Sequence, residues 1–221
     1  MSLRLFIVRH GETAENARMA YLGLRDEPLN ETGRRQAECV AEALSRIKIG
    51  LIVSSPLRRA VDTAARIHAV CGAELRKDDR LREGSFGDWE GLTRGEVLNR
   101  SGRDAELLLQ WEENSYIAPP GGESGEDVQR RAVSLVEDLA GEFPCNSVAL
   151  VSHVGPIKAL ISAALGITLD ASRRLFLDPG TISVVEWSDL PVVRLFNSHA
   201  HFGWNSARWM RHAGGAMKKK I

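Results

Sequence analysis

Residues 3–13 read LRLFIVRHGET, an apolar run that ends in a cation, an imidazole and a glycine. A short run of this kind predicts a strand that is buried on both faces, as in a parallel sheet. In such sheets, ligands bind just beyond the carboxyl ends of the strands. There Arg9 offers a planar fork of donors for phosphate, and a neutral His10 offers a nucleophilic nitrogen or a base. Because such a pair alone most often belongs to an ordinary loop, the rest of the chain decides its meaning.

The composition is that of an ordinary globular protein with no global charge bias. The chain has 221 residues, enough for one large domain or at most two, of which 43% are hydrophobic and 26% charged. Because 29 basic residues balance 29 acidic ones, we expect any anion site to be local, and we expect no nucleic-acid and no membrane partner. Cys39, Cys71 and Cys145 are scattered and lack metal spacing, which predicts reduced, mostly buried thiols and a cytoplasmic location.

Two further apolar runs end in polar residues in the same way as the first. Residues 51–56 (LIVSSP) lead into a predicted helix whose first turn contains Arg58 and Arg59, and residues 147–153 (SVALVSH) lead into another helix. The helix dipole is positive at that end, so arginines there predict a phosphate site, although either arginine alone fits a solvated surface position. If the three strands lie side by side, their ends surround a space of phosphate size with two histidines and at least two arginines.

The remaining pattern predicts an α/β protein, a three-layer α/β/α sandwich with a mostly parallel central sheet and an antiparallel edge. A helix capped by Asn30 is expected to extend to Ile47, and residues 93–113 have weaker helical character. A glycine-rich segment over about 85–122 predicts a lid-like insertion above the strand ends. Strands are predicted at residues 3–8, 51–53, 74–76, 147–151, 181–187 and 191–197, with the last two antiparallel.

Several separated blocks of sequence carry a family resemblance. The four main blocks are RHGET (9–13) with Asn16, SSPLRRA (54–60) with Thr63 and Ala64, LRE (81–83) with FGDWEG (86–91), and SH (152–153), while PGGES (120–124) is a weaker fifth. In this set and this order the chain resembles the histidine phosphatase superfamily, within its phosphoglycerate-mutase-like group. The resemblance covers about residues 3–202. It implies a histidine phosphatase domain over 1–202, followed by a C-terminal tail over 203–221.

The resemblance also implies which residues act. His10 corresponds to the nucleophile that becomes phosphohistidine, and Glu83 to the proton donor. The family arginine stands directly before an alanine, which favours Arg59 over Arg58. The residues implied to bind the phosphoryl group or the substrate are Arg9, Thr13, Asn16, Gly23, Arg59 and His153.

Physical chemistry is consistent with these roles. His10 must be neutral to attack, and a backbone carbonyl, that of Gly11 for example, would hold its other ring N–H and set the tautomer. Glu83 would donate a proton if its pKa were raised by burial or by a nearby phosphate. We expect no cofactor and no metal. His199 and His201 have chelating spacing, but no acidic or cysteine ligand stands near them in the sequence.

The residues after Glu83 favour a phosphatase. Mutases of the group continue with Arg-His-Tyr-Gly and later Gly-Leu-Asn-Lys, whereas this chain reads GSFG at 84–87 and GLTR at 91–94, and Glu90 adds a negative charge. We therefore predict a metal-independent phosphatase for a small phosphomonoester. The alternatives are a phosphoglycerate mutase and, in another class, a non-catalytic module that binds phosphorylated ligands. Among phosphatases, those for α-ribazole phosphate, phosphoserine and glucosyl-3-phosphoglycerate are all similar, and we leave them open.

The chain departs from the family pattern at three positions, and it ends in a C-terminal tail. Position 15 is Glu where Trp is usual, position 20 is Ala where Arg is common, and position 154 is Val where Gly is common. Loss of a cation at Ala20 predicts a different response to substrate charge. The tail is aromatic and basic, and we expect Phe202, Trp204 and Arg208 to pack near the site or to form a contact in a homodimer.

Overall fold

A computed structural model describes residues 2–143 and 146–203 of the chain. The strands of this part are β1 (Leu3–Arg9), β2 (Leu51–Ser54), β3 (Glu74–Lys77), β4 (Ser147–Ser152), β5 (Ile182–Trp187) and β6 (Val192–Ser198). The helices are α1 (Ala14–Arg18), α2 (Glu31–Leu44), α3 (Arg58–Cys71), α4 (Arg94–Arg100), α5 (Gly102–Glu113), α6 (Gly125–Glu142), α7 (Val154–Leu165) and α8 (Leu169–Ser172). Short 3-10 helices occupy Asp79–Leu81 and Gly87–Trp89.

The strands form one sheet in the order β3-β2-β4-β1-β5-β6. β1, β2, β3 and β4 run parallel to one another, whereas β5 pairs antiparallel with both β1 and β6. In register, Arg9 lies opposite Ser152, and Ser54 lies opposite Val151. The predicted mostly parallel sheet with an antiparallel edge is therefore confirmed. Because β2, β4 and β1 are adjacent in the sheet, their three polar carboxyl ends lie side by side.

Alternation along β1 explains the three layers. Leu5 and Ile7 pack in an apolar cluster with residues of α6 and α7, whereas Phe6 and Val8 pack on the other face against α2 and α3. Burial of each such side chain contributes about 1.5–3 kcal/mol. The near-continuous apolar run at residues 3–8 is thus required because both faces of the sheet are covered. The α/β/α architecture is confirmed.

Helix boundaries follow local capping. The Asn30 side chain accepts the N–H of Gly33 at 2.8 Å, as its predicted capping role requires. The expected extension of α2 to Ile47 is wrong, because the helix ends at Leu44. The weakly helical segment 93–113 is two helices, because Ser101 adopts an extended backbone and caps α5.

The segment that follows Gly84 has a small apolar core of its own. Trp89, Val97 and Leu108 are fully buried there. Tyr21 packs against this cluster with its ring 5.0 Å from that of Phe86, which joins the segment to the first loop of the chain. The lid boundaries of 85–122 and the domain boundary at 202 stay predictions.

Two features relate to the predicted cytoplasmic location, namely the exposure of the thiols and the length and polarity of the helices. Cys39 and Cys71 are free thiols that are partly exposed, less buried than expected, and Cys145 lies outside the described residues. Across residues 2–143 and 146–203, every helix is too short or too polar to cross a bilayer. The cytoplasmic location stays a prediction.

Candidate active site

His10 follows β1 directly, and its imidazole is held in one orientation. Nδ1 lies 2.7 Å from the carbonyl oxygen of Gly11, as the sequence predicted. Since a carbonyl only accepts, Nδ1 carries the ring proton. Nε2 lies 3.3 Å from Nε of Arg59, which only donates. The ring is therefore neutral, with its lone pair on Nε2.

Arg59 is fully buried and joins the two histidines. Its Nε lies 3.2 Å from Nδ1 of His153, and the rings of His10 and His153 are 4.9 Å apart. The Nη groups donate to the carbonyls of Gly23 at 2.9 Å and Arg25 at 2.6 Å. Burial lowers the pKa of Arg59 to about 10, although Glu83 and other carboxylates oppose the shift, so the guanidinium is charged at neutral pH.

Gly23 contributes to the site through its carbonyl, which accepts a hydrogen bond from Arg59. Its φ of +53° suits glycine, and a Cβ would lie 2.1 Å from Oε1 of Glu90. Glu90 in turn accepts the N–H of Leu24 at 3.0 Å. This tight approach holds the Gly23 carbonyl in position to orient Arg59. Arg58 is largely exposed and pairs with Asp62, so the preference for Arg59 agrees with the geometry.

His153 is fully buried at the start of α7. Because Arg59 donates to Nδ1, the ring proton lies on Nε2, which donates to Oγ of Ser55 at 2.8 Å. Burial, reinforced by the charge of Arg59, lowers the pKa of His153 well below 6.5. Both histidines are therefore neutral.

Arg9, Thr13 and Asn16 occupy one side of the site. Arg9 is buried, and its Nη1 donates to the carbonyl of Leu177 at 2.5 Å. Thr13 and Asn16 form the capping box of α1, in which each side chain accepts the other's N–H. Arg9 and Asn16 also line a cavity. Thr13 stabilises the turn through the capping box.

Glu83 is buried and held through one carboxylate oxygen. Its Oε1 accepts the N–H of Gly84 at 3.0 Å and that of Gly155 at 2.9 Å. A Cβ on Gly155 would lie 2.5 Å from Oε1, so only glycine allows this approach. Arg131 donates to the Glu83 carbonyl at 3.0 Å and supports the loop. These contacts leave Oε2 for a reacting atom. Asp88, a second carboxylate of this loop, is exposed.

His199 and His201 support the site structurally. Nε2 of His199 lies 2.7 Å from Oδ2 of Asp178, and Nε2 of His201 lies 2.7 Å from the carbonyl of Gly180. The Gly180 N–H donates to the carbonyls of Arg9 and His10, which ties this loop to the end of β1. In the part of the chain that the structure describes, no group of three or more His, Cys, Asp or Glu suits a metal ion.

Only one aromatic of the predicted tail contact lies in the described residues. Phe202 packs edge-on against His201, with ring centroids 4.3 Å apart. Trp204 and Arg208 lie outside that part of the chain. The proposed homodimer contact stays a prediction.

The sequence reasoning missed three residues of the site. Ser55 accepts from His153, Arg131 supports Glu83, and Lys158 lines the cavities beside Arg9 and Glu83. Lys158 stands four residues after Val154 in the helix that follows His153. That helical spacing was a usable signal, because it puts Lys158 above the first turn.

Comparison with known proteins identifies the family. The profile of the histidine phosphatase superfamily (branch 1) matches residues 5–198. The chain belongs to the histidine phosphatase superfamily. A bifunctional protein of Mycobacterium tuberculosis is 40% identical over 185 residues, which are 83% of this chain and 50% of that protein. The chain thus spans about half the length of that relative.

Two further proteins similar to this chain are named as phosphatases. Phosphoserine phosphatase 1 of Hydrogenobacter thermophilus is 32% identical over 203 residues, covering 91% of this chain and 95% of the relative. A solved mycobacterial glucosyl-3-phosphoglycerate phosphatase, in complex with VO3, is 34% identical with a TM-score of 0.80 and covers 88% of this chain and 99% of that one. The predicted family is confirmed.

The buried neutral histidines predict acid sensitivity of the fold. Burial lowers the pKa of both His153 and His201 below 6.5, whereas an unfolded histidine titrates near about 6.5. The unfolded chain therefore binds protons that the folded chain does not, so this stability is present above about pH 6.5 and lost as the pH falls below it. We expect the melting temperature of the protein to decrease as the pH is lowered from about 7.5 to about 5.5.

The variant His201→Gln separates this effect from general acid denaturation. It should flatten the pH dependence of the melting temperature, since one buried imidazole no longer titrates on unfolding. The matched control His68→Gln, at an exposed position of α3, should retain the wild-type slope. A melting temperature that rises towards pH 5.5 would contradict the assignment.

Proposed function

We propose that this chain is a phosphatase that hydrolyses a small phosphomonoester through phosphohistidine at His10, without a metal ion. The observation that carries the proposal is the pair of contacts on the His10 ring. The Gly11 carbonyl binds Nδ1–H, and the charged Arg59 lies beside the Nε2 lone pair. A nucleophile with a set tautomer next to a phosphate-binding cation is what in-line phosphoryl transfer requires.

In the first step, the Nε2 lone pair of His10 attacks phosphorus as the bond from phosphorus to the ester oxygen breaks. Arg9 and Arg59 bind the phosphoryl oxygens as charge builds up on them. Neutral His153 lies beside the same oxygens and holds Arg59 in place, because its Nδ1 accepts from Nε of Arg59 while its Nε2–H donates to Ser55. Glu83, which must hold a proton at this stage, transfers it from Oε2 to the leaving oxygen.

In the second step, water replaces the alcohol. The Glu83 carboxylate accepts a proton from that water as its oxygen attacks phosphorus, and the bond from phosphorus to Nε2 breaks. Inorganic phosphate and neutral His10 result, and Glu83 is again protonated. The cycle needs no redox change, and all of its proton transfers pass through side chains of this chain.

A hydrolase is favoured over a mutase by the surroundings of Glu90. Its carboxylate accepts the N–H groups of Leu24 and Phe86. These two hydrogen bonds place a negative charge in the loop beside the site. A mutase must retain a second phosphate, and a carboxylate at this position repels one. The names of the phosphoserine and glucosyl-3-phosphoglycerate phosphatases among the relatives support the same choice.

Phosphate release from a panel of small phosphomonoesters tests the proposal. We expect turnover of nitrophenyl phosphate and of at least one alkyl phosphate, unchanged by EDTA and inhibited by vanadate, which mimics five-coordinate phosphorus. With 3-phosphoglycerate, the products should be glycerate and phosphate. Binding of phosphomonoesters without turnover would favour the non-catalytic module. Formation of 2-phosphoglycerate would favour the mutase, and activity restored only by added metal would contradict the mechanism.

A further inference from the structure

Lys158 is a cation of the site that the proposed mechanism leaves unused. It lies one helical turn after Val154 on α7, and these two residues line both the cavity beside Arg9 and the cavity beside Glu83. Lys158 is partly buried, yet its ammonium group has no hydrogen bond or ion pair with any described residue. A charge in this position is costly unless a ligand binds it.

The location of the leaving group follows from the role proposed for Glu83. An acid that protonates the leaving oxygen must lie within hydrogen-bond reach of it. The alcohol half of the substrate therefore occupies the cavity lined by Glu83, whose walls also include Phe86, Trp111 and Lys158. The two aromatic rings suit a carbon skeleton, and the ammonium group suits an anion attached to it.

The charges around Lys158 also favour an anion. Burial, together with the nearby cations Arg9 and Arg173, lowers the pKa of Lys158 to about 8, and Glu83 opposes the shift. Arg173 is already engaged, since its Nε donates to Oγ of Ser115 at 3.1 Å. An anion beside Lys158 would relieve the repulsion among the three cations.

We propose that Lys158 binds a carboxylate on the leaving group, so that the preferred substrates are phosphate monoesters of small hydroxy acids. This inference rests on the proposed function and adds a substrate class to it. One ammonium group in a cavity with aromatic walls suits a carboxylate. A second phosphate would need more donors, such as a bidentate arginine.

The test compares O-phosphoserine with O-phosphoethanolamine, which differ by one carboxylate. We expect wild-type kcat/KM to be higher for phosphoserine. The variant Lys158→Met should reduce this preference by about 10- to 150-fold, the equivalent of the 1.5–3 kcal/mol typical of a hydrogen bond to a charged group. Lys158→Arg should retain most of it. The matched control Lys48→Met, at an exposed position before β2, should leave both substrates unaffected.

A pH series gives a second readout that needs no variant. The preference should decline as the pH rises through about 8, where Lys158 loses its proton, because only the ammonium form attracts the carboxylate. A flat pH profile, or equal slowing of both substrates in Lys158→Met, would overturn the inference while leaving the phosphatase intact. Absence of turnover with every phosphomonoester, nitrophenyl phosphate included, would instead overturn the proposed function itself.

Discussion

Replacing His10 with alanine is expected to lower turnover of every phosphomonoester by at least about 10⁴-fold, as loss of a covalent nucleophile does in other enzymes. The reason is that Nε2 of His10 is the atom that accepts the phosphoryl group in the proposed mechanism, and the guanidinium of Arg59 beside it has no lone pair to replace it. The measurement is kcat/KM for nitrophenyl phosphate and for an alkyl phosphate.

The control for this variant is a histidine outside the site. His68→Ala should keep wild-type activity, because that side chain is exposed near the end of α3. Phosphate should still bind to His10→Ala, since Arg9, Arg59 and His153 remain. Turnover by His10→Ala within about tenfold of wild type would exclude His10 as the nucleophile.

Replacing Glu83 with glutamine is expected to have an effect that depends on the leaving group. Glutamine keeps the shape and can still accept the N–H groups of Gly84 and Gly155, but it cannot supply the proton. An alkyl phosphate, whose alkoxide leaves poorly, should slow by about 10²–10⁴-fold, the usual contribution of acid catalysis. Nitrophenyl phosphate, whose leaving group needs little protonation, should slow much less in its first step.

The matched control is the neighbouring carboxylate of Asp88. Because Asp88 is exposed, Asp88→Asn should change neither substrate's rate. Equal slowing of the first step, measured as kcat/KM, for alkyl and nitrophenyl phosphate in Glu83→Gln would mean that Glu83 is not the proton donor. The proton would then have to come from another group, and Glu90 would be tested next.

The sequence predicted the parts of the site that follow from strand ends. The apolar runs before Arg9, Ser55 and Ser152 each required burial on both faces, and parallel strands of this kind bring their ends together. The tautomer of His10 was predictable because its partner, the Gly11 carbonyl, is the next residue. The choice of Arg59 needed the family resemblance, since Arg58 occupies the same helical turn.

The remaining features depend on contacts between distant parts of the chain. The Gly23 carbonyl orients Arg59 only because the loop at residues 21–24 packs on Glu90, and neither contact has a local signal. Arg131 supports Glu83 across 48 residues of sequence. The end of α2 before Ile47 was missed because an apolar residue at helical spacing also fits the turn that follows a helix.

Rapid-quench labelling of Glu83→Gln with radiolabelled nitrophenyl phosphate tests the covalent intermediate most directly. Because this variant lacks the base for the water step, phosphoprotein should accumulate in the first turnover. The label should be acid-labile, alkali-stable and located on the peptide that contains His10. A label on another residue, or phosphate release with no labelled protein at any time point, would contradict a phosphohistidine mechanism.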